Sequence, residues 1–194
     1  MTAVVVTKAD VNVLVNICAD MRATYMHYRE LFEPDNSHDA IFRNIAPLFF
    51  GDINRVLVRY IILEACKLAD PARDFRGNKT LSVEFFVNHT DFSNDPTAFD
   101  HLKDRASKLR AFGKKLKPAR NKLIAHCDRT TILSGIRGLG GADTDEWTEF
   151  WLDVQAFVNI LCERYLGQTI YINGGAISDA GRLVETLRRA AHPG

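Results

Sequence analysis

The sequence predicts an all-α protein, built as a bundle of four or five main helices with a small C-terminal appendage. Apolar residues recur at spacings of three and four along several long stretches, which is the pattern of helices that bury one face. Proline-rich and glycine-rich breaks separate these stretches. A chain of 194 residues, 46% hydrophobic and 25% charged, is long enough to bury a substantial core.

The first half of the chain contains two long helical patterns. Residues 8–33 predict one bundle helix, which Pro34 ends. Residues 39–69 predict a second helical region with a kink or a restart at Pro47. The later half of this region is apolar on most sides, so we expect it to lie centrally in the bundle.

A turn and a short helix follow. Asp70 and Pro71 end the second region, residues 72–79 form a polar loop, and residues 82–88 predict a short helix. The next long helix begins with Asp95 as its N-cap and Pro96 at its first position. This helix therefore leads toward the basic stretch at residues 114–129.

The path of that helix has two alternatives. It runs continuously into the segment from Arg120 to His126, with bends at Gly113 and Pro118, or it restarts at Pro118. A restart places Arg120 in the first turn, where free backbone N–H groups favour an anion. Both alternatives suit a phosphate ligand.

The C-terminal third begins with a glycine-containing loop over residues 130–145. A strongly amphipathic helix follows, and its aromatic residues predict core packing. Residues 168–173 alternate like a short strand, and residues 178–191 predict a last helix. We therefore predict a helical domain over residues 1–167 and an appendage of a strand-like segment and a helix over residues 168–194.

Composition and motifs restrict the class of protein. The four cysteines are far apart in apolar patterns, so we expect reduced core residues in a cytoplasmic protein. No zinc-ligand spacing occurs, and we expect no metal site and no cofactor. The chain shows neither a signal peptide nor an apolar run of about 20 residues that could cross a membrane.

The basic stretch over residues 114–129 is the candidate functional segment. On a helix that turns about 100° per residue, Leu116, Leu123 and Cys127 share one apolar seam with their neighbours. Arg120 lies about 60° to one side of that seam, and His126 lies about 60° to the other. The two side chains therefore border a buried face.

Arginine and histidine together suit RNA cleavage without a metal. The guanidinium of Arg120 offers a planar fork of donors for phosphate oxygens. The imidazole of His126 can take and give a proton near neutral pH. We expect both residues to be catalytic, with Asn121 hydrogen-bonding the RNA or supporting its neighbours.

The charge distribution favours a polyanionic partner. The chain has a formal net charge of only +1, but residues 103–129 contain ten lysines and arginines and two aspartates. Local positive charge of this kind attracts RNA. The expected RNA-binding residues are Lys114, Lys115, Lys117, Lys122 and Arg129.

The spacing of the pair favours a homodimer. Six residues on a straight helix separate Arg120 from His126 by about 9 Å and roughly 120°. The two side chains of one chain therefore do not easily reach the same phosphate. Two copies packed around a two-fold axis would line one cleft with both residues from each chain.

Arg120, Asn121, Ala125 and His126 form a string that resembles the R-x(4–6)-H signature of HEPN domains. The wider string RNKLIAHCD resembles the abortive-infection, AbiU-type branch of that superfamily, and so do KLADPARDF and TLSVEFF upstream. The likeness covers about residues 10–165. The resemblance implies a helical bundle that dimerises and acts as a metal-independent endoribonuclease in phage defence or a toxin–antitoxin system.

Other readings of the same residues stay open. Arg120 and His126 are also compatible with a structural ion pair and a helix-capping histidine. Some HEPN proteins are binding modules, so the same cleft could hold RNA or a nucleotide uncut, or dock an antitoxin-like protein. A purely structural helical dimer is a further alternative, and a metal hydrolase is a distant one.

Overall fold

A computed structural model describes residues 5–33, 36–73, 76–121, 141–172 and 179–191 of the chain. Within these ranges the protein forms seven helices, and its only β pairing is an isolated antiparallel bridge between Arg73 and Lys79. The predicted all-α class is therefore confirmed. The helices are α1 (Lys8–Phe32), α2 (Asn36–Ile45), α3 (Pro47–Leu68), α4 (Val83–His89), α5 (Pro96–Ala119), α6 (Thr144–Leu166) and α7 (Asp179–Ala191).

The described residues divide into two compact units. The first contains the residues up to Cys18 and those from Ile62 to Tyr171. The second contains the residues from Ala19 to Ile61 and those from Ile172 onward. The predicted domain boundary after residue 167 stays a prediction, but α7 belongs to a unit that also contains α2.

An aromatic part of the core of the first unit lies between α5 and α6. Phe112 of α5 stacks on Phe150 with 4.6 Å between ring centroids, and it meets the edge of Trp147 at 4.8 Å. Trp147 and Phe150 are buried, so the aromatic residues of α6 are core residues as predicted. This contact holds α5, the helix that leads into the candidate site.

Helix α5 begins as its sequence predicts. The Asp95 side chain accepts a hydrogen bond of 3.0 Å from the backbone N–H of Ala98, and Pro96 occupies the first turn. The helix then continues through Pro118 to Ala119. The structure therefore shows no restart at Pro118, and Arg120 follows the C-terminal end of α5. The rest of the segment up to His126 lies outside the described residues.

A glycine lets α5 approach the end of α3 closely. A Cβ atom built on Gly113 would lie 2.2 Å from the Cβ of Ala69, far inside van der Waals contact. The thiol of Cys66 lies nearby, with its Sγ 3.8 Å from the carbonyl oxygen of Gly113. This close approach places the residues that follow α3 beside those that follow α5.

The predicted strand near the C-terminus does not form in residues 168–172, and Asn173 lies outside the described residues. The backbone groups of Ile170 bond to side chains of α6 instead of a neighbouring strand. Its N–H donates to Asn159 Oδ1 at 3.1 Å, and its carbonyl accepts from Gln155 Nε2 at 2.6 Å. The alternation of apolar residues therefore belongs to a segment that lies along a helix.

The second unit has its own small core. Buried residues from α1, α2, α3 and α7 form it, and they include Leu31, Phe42, Phe50 and Val184. Glu30 accepts a hydrogen bond of 3.0 Å from the N–H of Gly181 near the start of α7. The helix predicted over residues 178–191 is thus present and anchored in this unit.

None of the helices in the described ranges has the length and apolar composition required to span a membrane.

Candidate active site

The structure describes part of the predicted site. Arg120 and Asn121 lie immediately after α5, and the backbone N–H of Arg120 still donates to the carbonyl oxygens of Leu116 and Lys117. Lys114, Lys115 and Lys117 lie on α5 itself. The remaining predicted residues, Lys122, His126 and Arg129, fall in the segment 122–140 and lie outside the described residues.

Arg120 forms an ion pair with Asp70, the second residue after α3. Its Nη1 lies 2.9 Å from Asp70 Oδ1 and 3.1 Å from Oδ2. The side chains of Arg120 and Asp70 are 22% and 28% exposed, so the pair is only partly shielded from water. Asp70 therefore orients the guanidinium without removing it from the surface.

Asn121 supplies a second contact to the guanidinium. The Nε–H of Arg120 donates to Asn121 Oδ1 at 3.1 Å, and Asn121 is otherwise exposed. The sequence suggested two roles for Asn121, and this contact agrees with the second, support of its neighbour. RNA contact by the exposed amide stays a prediction.

Sequence reasoning treated Asp70 only as a helix end and as part of the family resemblance. Its pairing with Arg120 spans fifty positions of the chain, so no local spacing could reveal it. The pairing depends on the close contact between Ala69 and Gly113, which brings the two helix ends together. An acidic residue directly after a central helix was the only available signal.

Some N–H donors of Arg120 have no partner among the described residues. A guanidinium has five N–H donors in a planar fork. Asp70 engages Nη1 and Asn121 engages Nε, whereas Nη2 has no hydrogen-bond partner among the residues that the structure describes. A phosphate oxygen could bind that edge while Asp70 and Asn121 hold the plane of the fork.

The thiol beneath the site is not a nucleophile at neutral pH. Burial chiefly raises the pKa of Cys66 to about 11, with the Asp70 carboxylate raising it further and the Arg120 and Lys117 charges opposing both. Cys18, Cys66 and Cys162 are buried free cysteines. These three therefore act as core residues, as the sequence predicts, while Cys127 lies outside the described residues.

The three described lysines differ in their partners. Lys115 Nζ contacts both carboxylate oxygens of Glu146, and this hydrogen bond, followed by one from the Asp143 N–H, lowers the pKa of Glu146. Glu146 also completes the capping box at the start of α6. Lys115 is thus tied to α6, whereas Lys114 and Lys117 line a groove on another face of α5.

A comparison with family models matches residues 9–170 to AbiU2, a HEPN family. The chain belongs to the AbiU2 family of HEPN domains. The match includes Asp70, Arg120 and the Arg120–His126 motif, and it relates this HEPN domain to abortive infection. The predicted family resemblance is confirmed. No curated protein and no solved structure matches the chain.

Proposed function

We propose that this AbiU2-family protein is a metal-independent endoribonuclease that acts as a homodimer in phage defence or a toxin–antitoxin system. The proposal depends chiefly on the orientation and exposure of the Arg120 guanidinium. This group is oriented by Asp70 and Asn121, stays partly exposed and keeps one edge without a partner in the described residues. A purely structural ion pair does not require that open edge.

The proposed reaction uses the RNA's own 2′-oxygen as the nucleophile. The 2′-oxygen forms a bond to the adjacent phosphorus, and the bond from phosphorus to the 5′-oxygen breaks. The proton from the 2′-hydroxyl is removed, and a proton is delivered to the leaving 5′-oxygen. The products therefore carry a 2′,3′-cyclic phosphate and a 5′-hydroxyl, with no net change in protons.

The three polar residues of the motif each take part in this reaction. Arg120 stabilises the charge that develops on the phosphate oxygens, an effect that is often the largest single contribution to catalysis. His126 moves the proton, and Asn121 positions the guanidinium and the RNA. Two chains supply the cleft, because the motif spacing separates arginine and histidine on one straight helix.

A non-catalytic module that binds RNA, a nucleotide or an antitoxin-like protein is the second candidate. The Asp70–Arg120 ion pair favours it, because the carboxylate partly offsets the positive charge that Arg120 would supply to a transition state, whereas binding can also use the lysines of α5. This candidate predicts RNA affinity without products. The two candidates therefore differ in one measurable respect.

The proposal predicts RNA cleavage in the presence of EDTA. Full-length protein is incubated with single-stranded and structured RNA, with and without EDTA, and the product ends are analysed by mass spectrometry. We expect equal cleavage in both conditions and ends with 2′,3′-cyclic phosphate. Binding without products, or cleavage that depends on added Mg²⁺, would remove the proposal.

A further inference from the structure

One groove on the surface of the first unit is lined by basic side chains of α5. It lies between α4, α5 and the turn after α3, and it has a volume of about 440 Å³. Four basic side chains of α5 line it, together with Glu84 of α4. We name it the basic groove and define it by Lys103, Arg110, Lys114 and Lys117.

The four cations follow one face of α5. They are separated by seven, four and three residues, and these steps return to the same side of a helix. Their Cα atoms therefore span about 21 Å along the helix axis at 1.5 Å per residue. A row of this length can meet several successive phosphates of one strand.

Nearby carboxylates neutralise only part of the positive charge of these four side chains. Lys114 and Lys117 have no ion-pair partner in the part of the chain that the structure describes. Arg110 lies 3.8 Å from Glu84, near the limit of an ion pair, and Lys103 pairs with the exposed Asp100. Exposed pairs of this kind contribute at most about 1 kcal/mol, so an incoming phosphate can replace them.

On the opposite face of α5, carboxylates outnumber lysines. A second groove of about 330 Å³ lies between α5 and α6, and three carboxylates and two lysines line it. Lys115 contacts Glu146 there, and Arg105 pairs with Asp153 at 2.7 Å. Among the described residues, the cations of α5 are thus paired with carboxylates toward α6 and only partly compensated toward α4.

The basic groove also leads to the candidate active site. Ala69 and Pro71 line it, and these residues flank Asp70, the partner of Arg120. Lys117 lines the groove three residues before Arg120. A strand lying in the groove would therefore pass next to the oriented guanidinium.

We propose that the basic groove binds the sugar–phosphate backbone of a single-stranded RNA segment that adjoins the cleaved phosphate. This inference rests on the proposed function and names the path of its substrate. A positively charged groove that follows one backbone is a common site for single-stranded nucleic acid, and a groove of this size has room for one strand. Lys103 and Arg110, which the motif analysis did not select, belong to this site.

The test measures binding separately from cleavage. The probe is a fluorescein-labelled 2′-O-methyl oligouridylate, which cannot be cleaved through its 2′-oxygen. Fluorescence anisotropy follows its affinity for full-length protein and for the Lys114→Ala/Lys117→Ala variant across a series of salt concentrations. Each phosphate contact with a single strand contributes about 0.7 to the salt slope, so we expect the slope to fall by about 1.4 and affinity at 0.1 M salt by about 10- to 30-fold.

A matched pair of charge reversals separates the groove from net charge. Lys114→Glu and Lys108→Glu change the same helix by the same charge, but Lys108 lines the second groove, between α5 and α6. We expect Lys114→Glu to weaken binding at least fivefold more than Lys108→Glu. Circular dichroism and thermal melts of each variant verify that the compared proteins are folded.

The outcomes distinguish this inference from the proposed function. Equal effects of the two reversals, or an unchanged salt slope in the double variant, overturn the groove even if the protein cleaves RNA. The same holds if full-length protein does not bind the probe, as an acidic protein ligand for the groove would predict. If binding depends on the groove but no RNA is cleaved, the groove is supported as an RNA-binding site and the proposed nuclease activity is contradicted.

Discussion

Replacing His126 with alanine is expected to lower the rate of RNA cleavage by about 10²- to 10⁴-fold. A positioned acid–base group contributes an effect of this size, and no other motif residue can exchange a proton near neutral pH. The rate is measured under single-turnover conditions in EDTA, with protein in excess over a labelled RNA. RNA affinity is measured in parallel with the 2′-O-methyl probe.

The control for this substitution is His101→Ala. His101 is an exposed histidine on α5, so the control removes the same side chain outside the proposed cleft. We expect the control to cleave like the wild type. Unchanged cleavage in His126→Ala would exclude its catalytic role, and a parallel loss of RNA affinity and thermal stability would indicate a structural one.

Replacing Arg120 with alanine is expected to lower the cleavage rate by about 10²- to 10³-fold, the usual loss when one donor to a developing oxyanion is removed. The substitution also leaves the partly buried Asp70 carboxylate without its cation. We expect a stability loss of roughly 1–3 kcal/mol from that unpaired group. Cleavage rates and urea unfolding curves measure the two effects separately.

The control for the structural part of this effect is Arg105→Ala. Arg105 also carries a cross-helix ion pair, with Asp153 at 2.7 Å, on the side of α5 that faces α6. We expect Arg105→Ala to lose stability while the folded protein keeps its cleavage rate. Equal losses of rate in Arg105→Ala and Arg120→Ala would mean that Arg120 acts through stability alone.

Helix periodicity and capping residues were sufficient to predict most of the fold. The restart at Pro47, the N-cap at Asp95 and the aromatic core face of α6 follow from local rules, and the structure contains all three. The prediction of a strand over residues 168–173 was wrong within the described residues. A short alternation of apolar and polar residues also occurs in an extended segment that pairs with no other strand. Gln155 and Asn159 satisfy the backbone of Ile170 instead.

The site was less predictable because it depends on contacts between distant segments. The helical projection predicted that Arg120 lies beside the apolar seam, and in the described residues Leu116 is buried while Arg120 is partly exposed. The family match spans the motif. The projection could not reveal Asp70, which reaches Arg120 only because Gly113 allows close helix packing. Nor could it distinguish Lys114 from Lys115, since that difference depends on Glu146 at the start of α6.

We expect the 2′-oxygen of RNA to attack the neighbouring phosphate at a site built from Arg120 and His126. The most direct measurement uses an RNA with a single 2′-deoxynucleotide on the 5′ side of a mapped cleavage position, incubated with full-length protein in EDTA. We expect cleavage to stop at that position and to continue at the others, with 2′,3′-cyclic phosphate ends. Cleavage at the 2′-deoxynucleotide itself would contradict this mechanism.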